Sequence, residues 1–308
     1  MKNKISILMA NYNNGHYIRE AIDSVLNQTY TNWELIIVDD CSTDDSLKIL
    51  QPLLVDERIK VFVNEENRGC GYTKMRCAEE SSGTYCGFLD PDDALVPHAL
   101  STMLEAFAKY PDSAMINSKD VFCDDQLNPV EVDPNSKDVS NLGSYLLYDG
   151  GGVTHFAVYR NDLYRKTAGI SPEFTKAVDQ DLYYLMDQEG PINFVDDVLY
   201  YYRIHTGGIS TNKNVIPATY QHFKVMRKWA QRRLLDGRFR EDFYAYRRLV
   251  ARCDFHLSIL DKKYFTAIFR MFNYISKGGG SEVGQMFNRL FRHPKRVFNS
   301  LFNVYRVK

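Results

Sequence analysis

The sequence predicts an α/β protein: a mostly parallel sheet flanked by helices, continued by a helical C-terminal region. Three observations carry this reading. Through the first 120 residues, short apolar runs rich in β-branched side chains alternate with segments of helical periodicity, the pattern of repeated βα units. Carboxylate clusters stand directly after two of those runs, where the loops at the carboxyl ends of parallel strands bracket a ligand crevice. Charge is also divided unevenly, since residues 213–308 hold 21 Lys and Arg against six Asp and Glu, and residues 1–212 hold 17 against 33. Two parts with different tasks are expected, 1–212 and 213–308.

Taken in order, strands are predicted over residues 5–9, 35–38, 59–63, 88–89 and 114–117, with helices over 17–26, 45–54, 72–80 and 97–108 between them. Pro97 suits the first turn of its helix, and the run Ser42-Thr43-Asp44-Asp45 offers capping side chains to the helix that follows. Residues 121–175 are less regular and punctuated by Asn128-Pro129, Asp133-Pro134 and Gly150-Gly151-Gly152, which mark loops. A helix over 179–188 precedes two strands, 192–195 and 198–204. From about residue 216 the pattern becomes helical and basic, and Gly278-Gly279-Gly280 separates a terminal segment, 281–308. There Met286, Phe287, Leu290 and Phe291, then Val297, Phe298, Leu301 and Phe302, recur at helical spacing opposite Arg289, Arg292, Lys295 and Arg296. That makes an amphipathic basic helix, broken at His293-Pro294.

Composition bounds the function. With 308 residues, 44% of them hydrophobic, the chain buries a full core and is not disordered. Six cysteines without a C-x-x-C pair, and no leader-like segment before the first strand, predict a reducing, cytoplasmic setting. No stretch approaches the roughly 18 apolar residues of a membrane span, so contact with the inner face of the cytoplasmic membrane would be peripheral. The basic C-terminal region lacks a nucleic-acid-binding module and interleaves large apolar faces with its charges, so an anionic bilayer is the expected partner and nucleic acid is not.

The most informative motif is Asp90-Pro91-Asp92-Asp93, which follows the apolar run Tyr85-Cys86-Gly87-Phe88-Leu89. Several carboxylates at a strand end repel one another unless a cation offsets them. Mg²⁺ or Mn²⁺ prefers such hard oxygen ligands and leaves positions for phosphate oxygens. The second cluster, Asp39-Asp40-Cys41-Ser42-Thr43-Asp44-Asp45, follows Leu35-Ile36-Ile37-Val38. A carboxylate there suits the ring N–H of a nucleotide base, with Asp39 the first candidate and Asp40 the lesser one. Cys41 and Cys70 have no metal or dyad spacing and are expected to be small fillers.

Together with Ser6-Ile7-Leu8-Met9-Ala10-Asn11-Tyr12-Asn13-Asn14 and Ala21-Ile22-Asp23-Ser24-Val25-Leu26-Asn27-Gln28-Thr29-Tyr30, these clusters resemble the family 2 glycosyltransferases of the GT-A (Rossmann-like) fold over about residues 4–210. The resemblance implies that Asp39 recognises the base while Ala10, Asn11 and Tyr12 wall the pocket, Tyr12 stacking on the base. It implies a DXD metal and diphosphate site in which Asp92 is the direct ligand and Asp90 faces ribose or a metal-bound water. Asp93 then caps the next helix or orients a ligand residue. The loop Asn67-Arg68-Gly69-Cys70-Gly71 resembles the family's Asn-x-Gly loop, where Asn67 and Gly69 allow close backbone approach. Lys74 falls where relatives carry arginine, which keeps the charge and loses the bidentate fork, and Arg76 is its alternative.

Val178-Asp179-Gln180-Asp181-Leu182 resembles the family's Glu-Asp-x-Asp-Leu signature, which implies that Asp179 is the general base toward the acceptor hydroxyl. Asp181, about 200° away on a helix, is the fallback. Tyr202-Arg203-Ile204-His205 resembles the close of the catalytic domain, implying a metal or diphosphate contact from His205 and a diphosphate cation in Arg203. Gly207-Gly208 and Ser210 suggest a loop that closes on bound donor, and His155 is an acceptor-side candidate. The implied activity is inverting, metal-assisted transfer from a nucleotide-diphosphate sugar, with UDP first, to a saccharide or lipid-linked saccharide acceptor in glycan assembly. Two alternatives stand: a noncatalytic nucleotide-sugar-binding protein, and a sugar nucleotidyltransferase. The latter needs a Gly-rich loop ending in Arg and Lys after strand one, where Gly15 is the only glycine between residues 10 and 16.

Overall fold

The computed structural model describes residues 3–148, 151–205 and 215–284, and these form two compact units divided after His205. The N-terminal unit is built on a nine-stranded mixed sheet whose strands lie in the order 59–63, 33–39, 5–11, 85–88, 157–160, 115–123, 192–203 and 94–95, with 129–132 paired to 115–123. Its first half consists of β1 (Ile5–Asn11), α1 (Ile18–Leu26), β2 (Trp33–Asp39), α2 (Ser46–Leu50), β3 (Ile59–Val63), α3 (Cys70–Glu80) and β4 (Tyr85–Phe88). Strands β1 to β4 are mutually parallel. All seven residues of β2 are buried, as expected of a parallel strand covered on both faces. Ile18, Ala21, Ile22 and Val25 line the buried face of α1 and join Ile5, Ile7 and Met9 of β1 in one core. Full burial of each large aliphatic side chain there contributes about 1.5–3 kcal/mol.

The second half departs from simple alternation. It runs β5 (Ala94–Leu95), α4 (Ala99–Lys109), β6 (Met115–Cys123), β7 (Pro129–Val132), β8 (Ala157–Arg160), α5 (Asn161–Tyr164), α6 (Val178–Met186) and β9 (Ile192–Arg203). Here β8 is antiparallel to β4 and β6, while β9 is parallel to β6. The two strands expected at 192–204 are one, because Ser118 pairs with Val195 and Lys119 with Val198. Asp196 and Asp197 bulge out between those pairs and remain exposed. Helix α4 begins two residues beyond Pro97, whose carbonyl accepts from the Thr29 amide at 2.8 Å. The helix expected over 45–54 is α2 followed by a 3₁₀ turn, Gln51–Val55, started by Pro52.

The C-terminal unit comprises α7 (Val215–Leu235), α8 (Phe243–Leu260) and α9 (Tyr264–Tyr274), around a small core of Ala251, Phe255, Ala267, Tyr274 and Val283. The triple glycine is a packed kink rather than a spacer: Gly278 takes φ +96° and Gly279 is buried against the Tyr274 ring. The expected donor loop at 207–210 and residues 285–308 of the amphipathic segment lie outside the described residues.

Candidate active site

The carboxyl ends of β1 and β2 form the first corner. Asp39, fully buried, accepts from Asn11 Nδ2 at 2.7 Å and from the Ser42 amide at 2.8 Å. Ala10 is half-buried, and Tyr12 keeps 46% of its surface exposed, so its ring is not packed beneath the loop. Asp40 is drawn the other way. One oxygen accepts from Asn64 Nδ2 at 2.7 Å and the Arg68 amide at 2.9 Å, and the other from the Gly69 amide at 2.8 Å. Asp40, the lesser candidate for base recognition, clamps residues 64–69, because its oxygens satisfy amides at the entrance to α3. Asn67 is exposed on that loop. Gly69 enters α3 at φ +85°, a conformation that disfavours a side chain. Gly71 lies so close to the carbonyl of Ser171 that a Cβ would come within 2.7 Å of it.

Helix α3 delivers Lys74 to Asp90, Nζ to Oδ1 at 2.9 Å, with the lysine side chain only 11% exposed. Burial opposes charge on both groups, yet their attraction prevails: the Lys74 ammonium is held above the ordinary lysine range and the Asp90 carboxyl below the ordinary carboxylate range. Asp90 is thus paired with Lys74, while Asp92 meets His205. Arg76, the alternative cation, is turned to Val63 O and Asn64 Oδ1 at 3.0 and 2.6 Å. Burial pushes the neighbouring Cys70 thiol up to about 11, which leaves it protonated and unreactive.

Asp92 Oδ2 and His205 Nε2 meet at 2.9 Å. Asp93 does not cap α4. It is buried, accepts from Tyr200 Oη at 2.6 Å and the Arg203 amide at 2.8 Å, and so fixes the end of β9 that carries His205. Burial, then the Asp92 and Asp90 charges, raise its carboxyl well above the usual range. Arg203, expected to face diphosphate, braces the 90–93 loop. Its side chain is 1% exposed, and its guanidinium reaches Asp92 O at 2.6 Å, Asp125 O and Glu20. It also stacks on Tyr17, whose ring meets His205 edge-on at 5.0 Å.

Asp92 and His205 thus offer one hard oxygen and one imidazole nitrogen side by side, a donor pair that fits Mn²⁺ or Mg²⁺ when phosphate oxygens complete the shell. Among the described residues no three His, Cys, Asp or Glu side chains converge as a ready-made cluster.

Helix α6 begins at Val178, one residue earlier than expected, after Ala177 in the left-handed region at φ +56°. Asp181 is fully buried and accepts from the Ser171 amide at 2.8 Å. It holds the loop before the helix. Asp179 is half-buried and, among the described residues, makes no hydrogen bond or ion pair, yet its charge acts on Lys74, Cys70 and His155. His155 binds Asp120 of β6, Nδ1 to Oδ2 at 2.7 Å, and stacks on Tyr202 at 4.2 Å. Sequence reasoning missed Asp120. It stands in a polar stretch of β6, Asn117-Ser118-Lys119-Asp120, which does not mark it as buried, yet a buried carboxylate has to be paired.

A mostly parallel sheet flanked by helices, with acidic groups gathered at its strand ends, is the GT-A class of fold. The family model "Glycosyl transferase family 2" matches residues 6–167, more than half of the chain, and the chain belongs to that family. It is 29% identical over 228 residues to chondroitin synthase from Escherichia coli, covering 72% of this chain and 32% of that protein. It is 38% identical over 106 residues to WfgD of Escherichia coli, a UDP-Glc:alpha-D-GlcNAc-diphosphoundecaprenol beta-1,3-glucosyltransferase, covering 34% and 41%. The chain therefore spans less than half the length of either relative. The crystal structure of S. aureus TarS 1-349 with UDP-GlcNAc superposes with a TM-score of 0.67 at 21% identity, covering 89% of this chain and 81% of that one.

Proposed function

We propose that this protein transfers a sugar from a nucleotide-diphosphate sugar, UDP-linked, to an acceptor hydroxyl by a single inverting displacement in glycan assembly. The observation that carries the proposal is Asp179: a carboxylate that has no partner among the described residues and whose charge acts on Lys74 of the Lys74–Asp90 pair. It is free to take the acceptor proton as that oxygen attacks the anomeric carbon. Lys74, held charged, offsets negative charge at the donor, and Arg203 and Asp93 keep the 90–93 loop against the end of β9. Asp92 and His205 are the residues to hold a divalent metal, which when bound would offset charge on the departing nucleoside diphosphate. UDP is favoured because the printed names of WfgD and the TarS complex both carry uridine sugar nucleotides.

The acceptor is a saccharide, and a lipid-linked one is supported by two features. The printed name of WfgD contains such an acceptor. Helix α9 also turns Phe265, Phe269 and Phe272 outward, 93%, 82% and 62% exposed, within the basic region counted above. That combination suits peripheral docking on an anionic bilayer at the cytoplasmic side, and no described helix is long and apolar enough to cross one. Salt-insensitive or absent binding to anionic liposomes would remove the membrane part.

The test of the donor reading is a thermal-shift series with UDP, GDP, dTDP and their sugar conjugates, each with Mn²⁺, Mg²⁺ or chelator. A ligand at 100 times its dissociation constant adds about 2.7 kcal/mol of stability, which moves the midpoint by several degrees. The expected result is a metal-dependent shift with uridine nucleotides that is lost in Asp92→Asn. A shift confined to GDP or dTDP overturns the UDP assignment, and transfer with retained anomeric configuration overturns the single displacement.

A further inference from the structure

We propose that His155 reads the transferred sugar, its Nε2–H donating to an uncharged hydroxyl or carbonyl oxygen of the sugar part of the donor. The inference rests on the nucleotide-sugar reading above and adds a recognition contact to it. The imidazole is fixed on three sides. Its backbone amide and its Nδ1 both bond Asp120 Oδ2, at 3.0 and 2.7 Å, which assigns Nδ1 as a donor to a fully buried carboxylate. Its ring lies nearly parallel to Tyr202, 4.2 Å between centroids, and to Tyr200 at 5.8 Å.

Only Nε2 is left. Among the described residues it has no partner, and the side chain keeps 29% of its surface open. A histidine used only as a core brace satisfies its second nitrogen or buries it in apolar surroundings. This one is immobilised and then left with a free donor beside the reactive carboxylate.

The surroundings restrict what that donor can meet. The charges of Asp179, Asp93 and Asp90 all interact with the ring. Burial disfavours the imidazolium, but Asp120, Asp93 and Asp179 outweigh it and push its pKa up to about 10, so Nε2 carries a proton at neutral pH. Asp90 is spent on Lys74 and Asp120 on His155 itself, whereas Asp179 has no ion-pair partner among the described residues. A sugar carboxylate would be repelled by Asp179, while a neutral hydroxyl or amide carbonyl accepts from Nε2 without that cost.

The experiment compares wild type, His155→Ala and His155→Gln in Mn²⁺ buffer by calorimetric titration with UDP, UDP-GlcNAc and UDP-Glc. In His155→Ala the affinity for UDP is expected to stay within about twofold, while that for the sugar nucleotide falls about tenfold, the effect of one lost hydrogen bond to a charged donor. His155→Gln, which keeps an N–H donor, should recover part of that loss. Equal weakening toward UDP and UDP-sugar, or no weakening at all, overturns the inference while leaving the donor reading intact. Failure of the wild type to bind any of the three overturns the UDP-sugar reading and this contact with it. Should His155→Ala not fold, the same ratio measured in His155→Phe, which keeps a ring against Tyr202 and has no N–H, decides.

Discussion

Two elements of this molecule end or begin with neighbouring carboxylates, and the fold treats them in opposite ways. At the end of β2, Asp39 and Asp40 are almost completely buried, and every oxygen accepts from a protein donor: Asn11, Ser42, Asn64, Arg68 and Gly69. At the head of α6, Asp181 is held by the Ser171 amide, but Asp179 has no donor among the described residues. A carboxylate saturated by backbone and amide donors stores its value in holding loops. One left open beside a buried ion pair is available for chemistry. The comparison predicts that similar substitutions damage different things: stability at the saturated group, turnover at the open one.

The largest effect is expected at the open group. Asp179→Asn preserves shape and removes the proton acceptor, so transfer should fall by about 10²–10⁴-fold, with UDP affinity and the thermal midpoint nearly unchanged. Initial rates with a uridine sugar donor, beside a UDP titration, check this. A drop below tenfold would move the base elsewhere.

Asp40→Ala should do the reverse. Removing its carboxylate leaves the Asn64 amide and the Arg68 and Gly69 N–H groups without their acceptor, and each stranded donor costs about 1–3 kcal/mol. A loss of about 3 kcal/mol in a urea titration is expected, larger than any change in Asp179→Asn. Equal stability of the two variants would break the comparison.

Glu34, near the opposite end of β2, sharpens it with pH. The side chain is 1% exposed and accepts from Lys4, Ser6, Lys60 and both the amide and hydroxyl of Ser82. Burial alone would raise its pKa, but those donors lower it from 4.5 to about 2. Because the folded value is the depressed one, the stabilisation is fully present above the unfolded pKa and is lost as pH falls toward 2. It amounts to about 3 kcal/mol at neutral pH. The stability difference between wild type and Glu34→Gln should therefore be large at pH 7 and fade between pH 5 and 2. A difference independent of pH would show that packing, not ionisation, accounts for it.

Much of the frame was legible in the sequence because β1 to β4 are local βα units whose periodicity is written within a dozen residues. The less regular half was not. The pairing of β6 with both β8 and β9, and the bulge at Asp196 and Asp197, depend on partners distant along the chain. The same limit applied to the site. Motif position located the acidic groups but did not separate braces from open groups, since Arg203 reaches Asp93 across 110 residues and His155 reaches Asp120 across 35. Arg203 read as a diphosphate cation because of its place in the Tyr202-Arg203-Ile204-His205 motif, while its neighbours in space are Glu20, Asp92 and Asp125.

The smallest expected effect tests the corner where saturation and openness meet within consecutive residues. Asn11 is buried and bonded to Asp39, and Asn13 turns the chain at φ +54° with its side-chain oxygen accepting from the Thr43 amide at 2.8 Å. The main chain at Tyr12 is thus fixed from both sides while its ring stands 46% exposed. Tyr12→Ala should change stability by no more than about 0.5 kcal/mol, as at an ordinary surface position. If the ring stacks on the base, it should also weaken UDP binding by about 0.5–1.5 kcal/mol, roughly two- to tenfold. Tyr12→Phe keeps the stacking face and should bind as wild type does. Equal weakening in both variants would mean that the hydroxyl, not the ring face, makes the contact, whereas unchanged binding in Tyr12→Ala would confine base recognition to the buried side of the corner, where Asp39 has no oxygen free of Asn11 and Ser42.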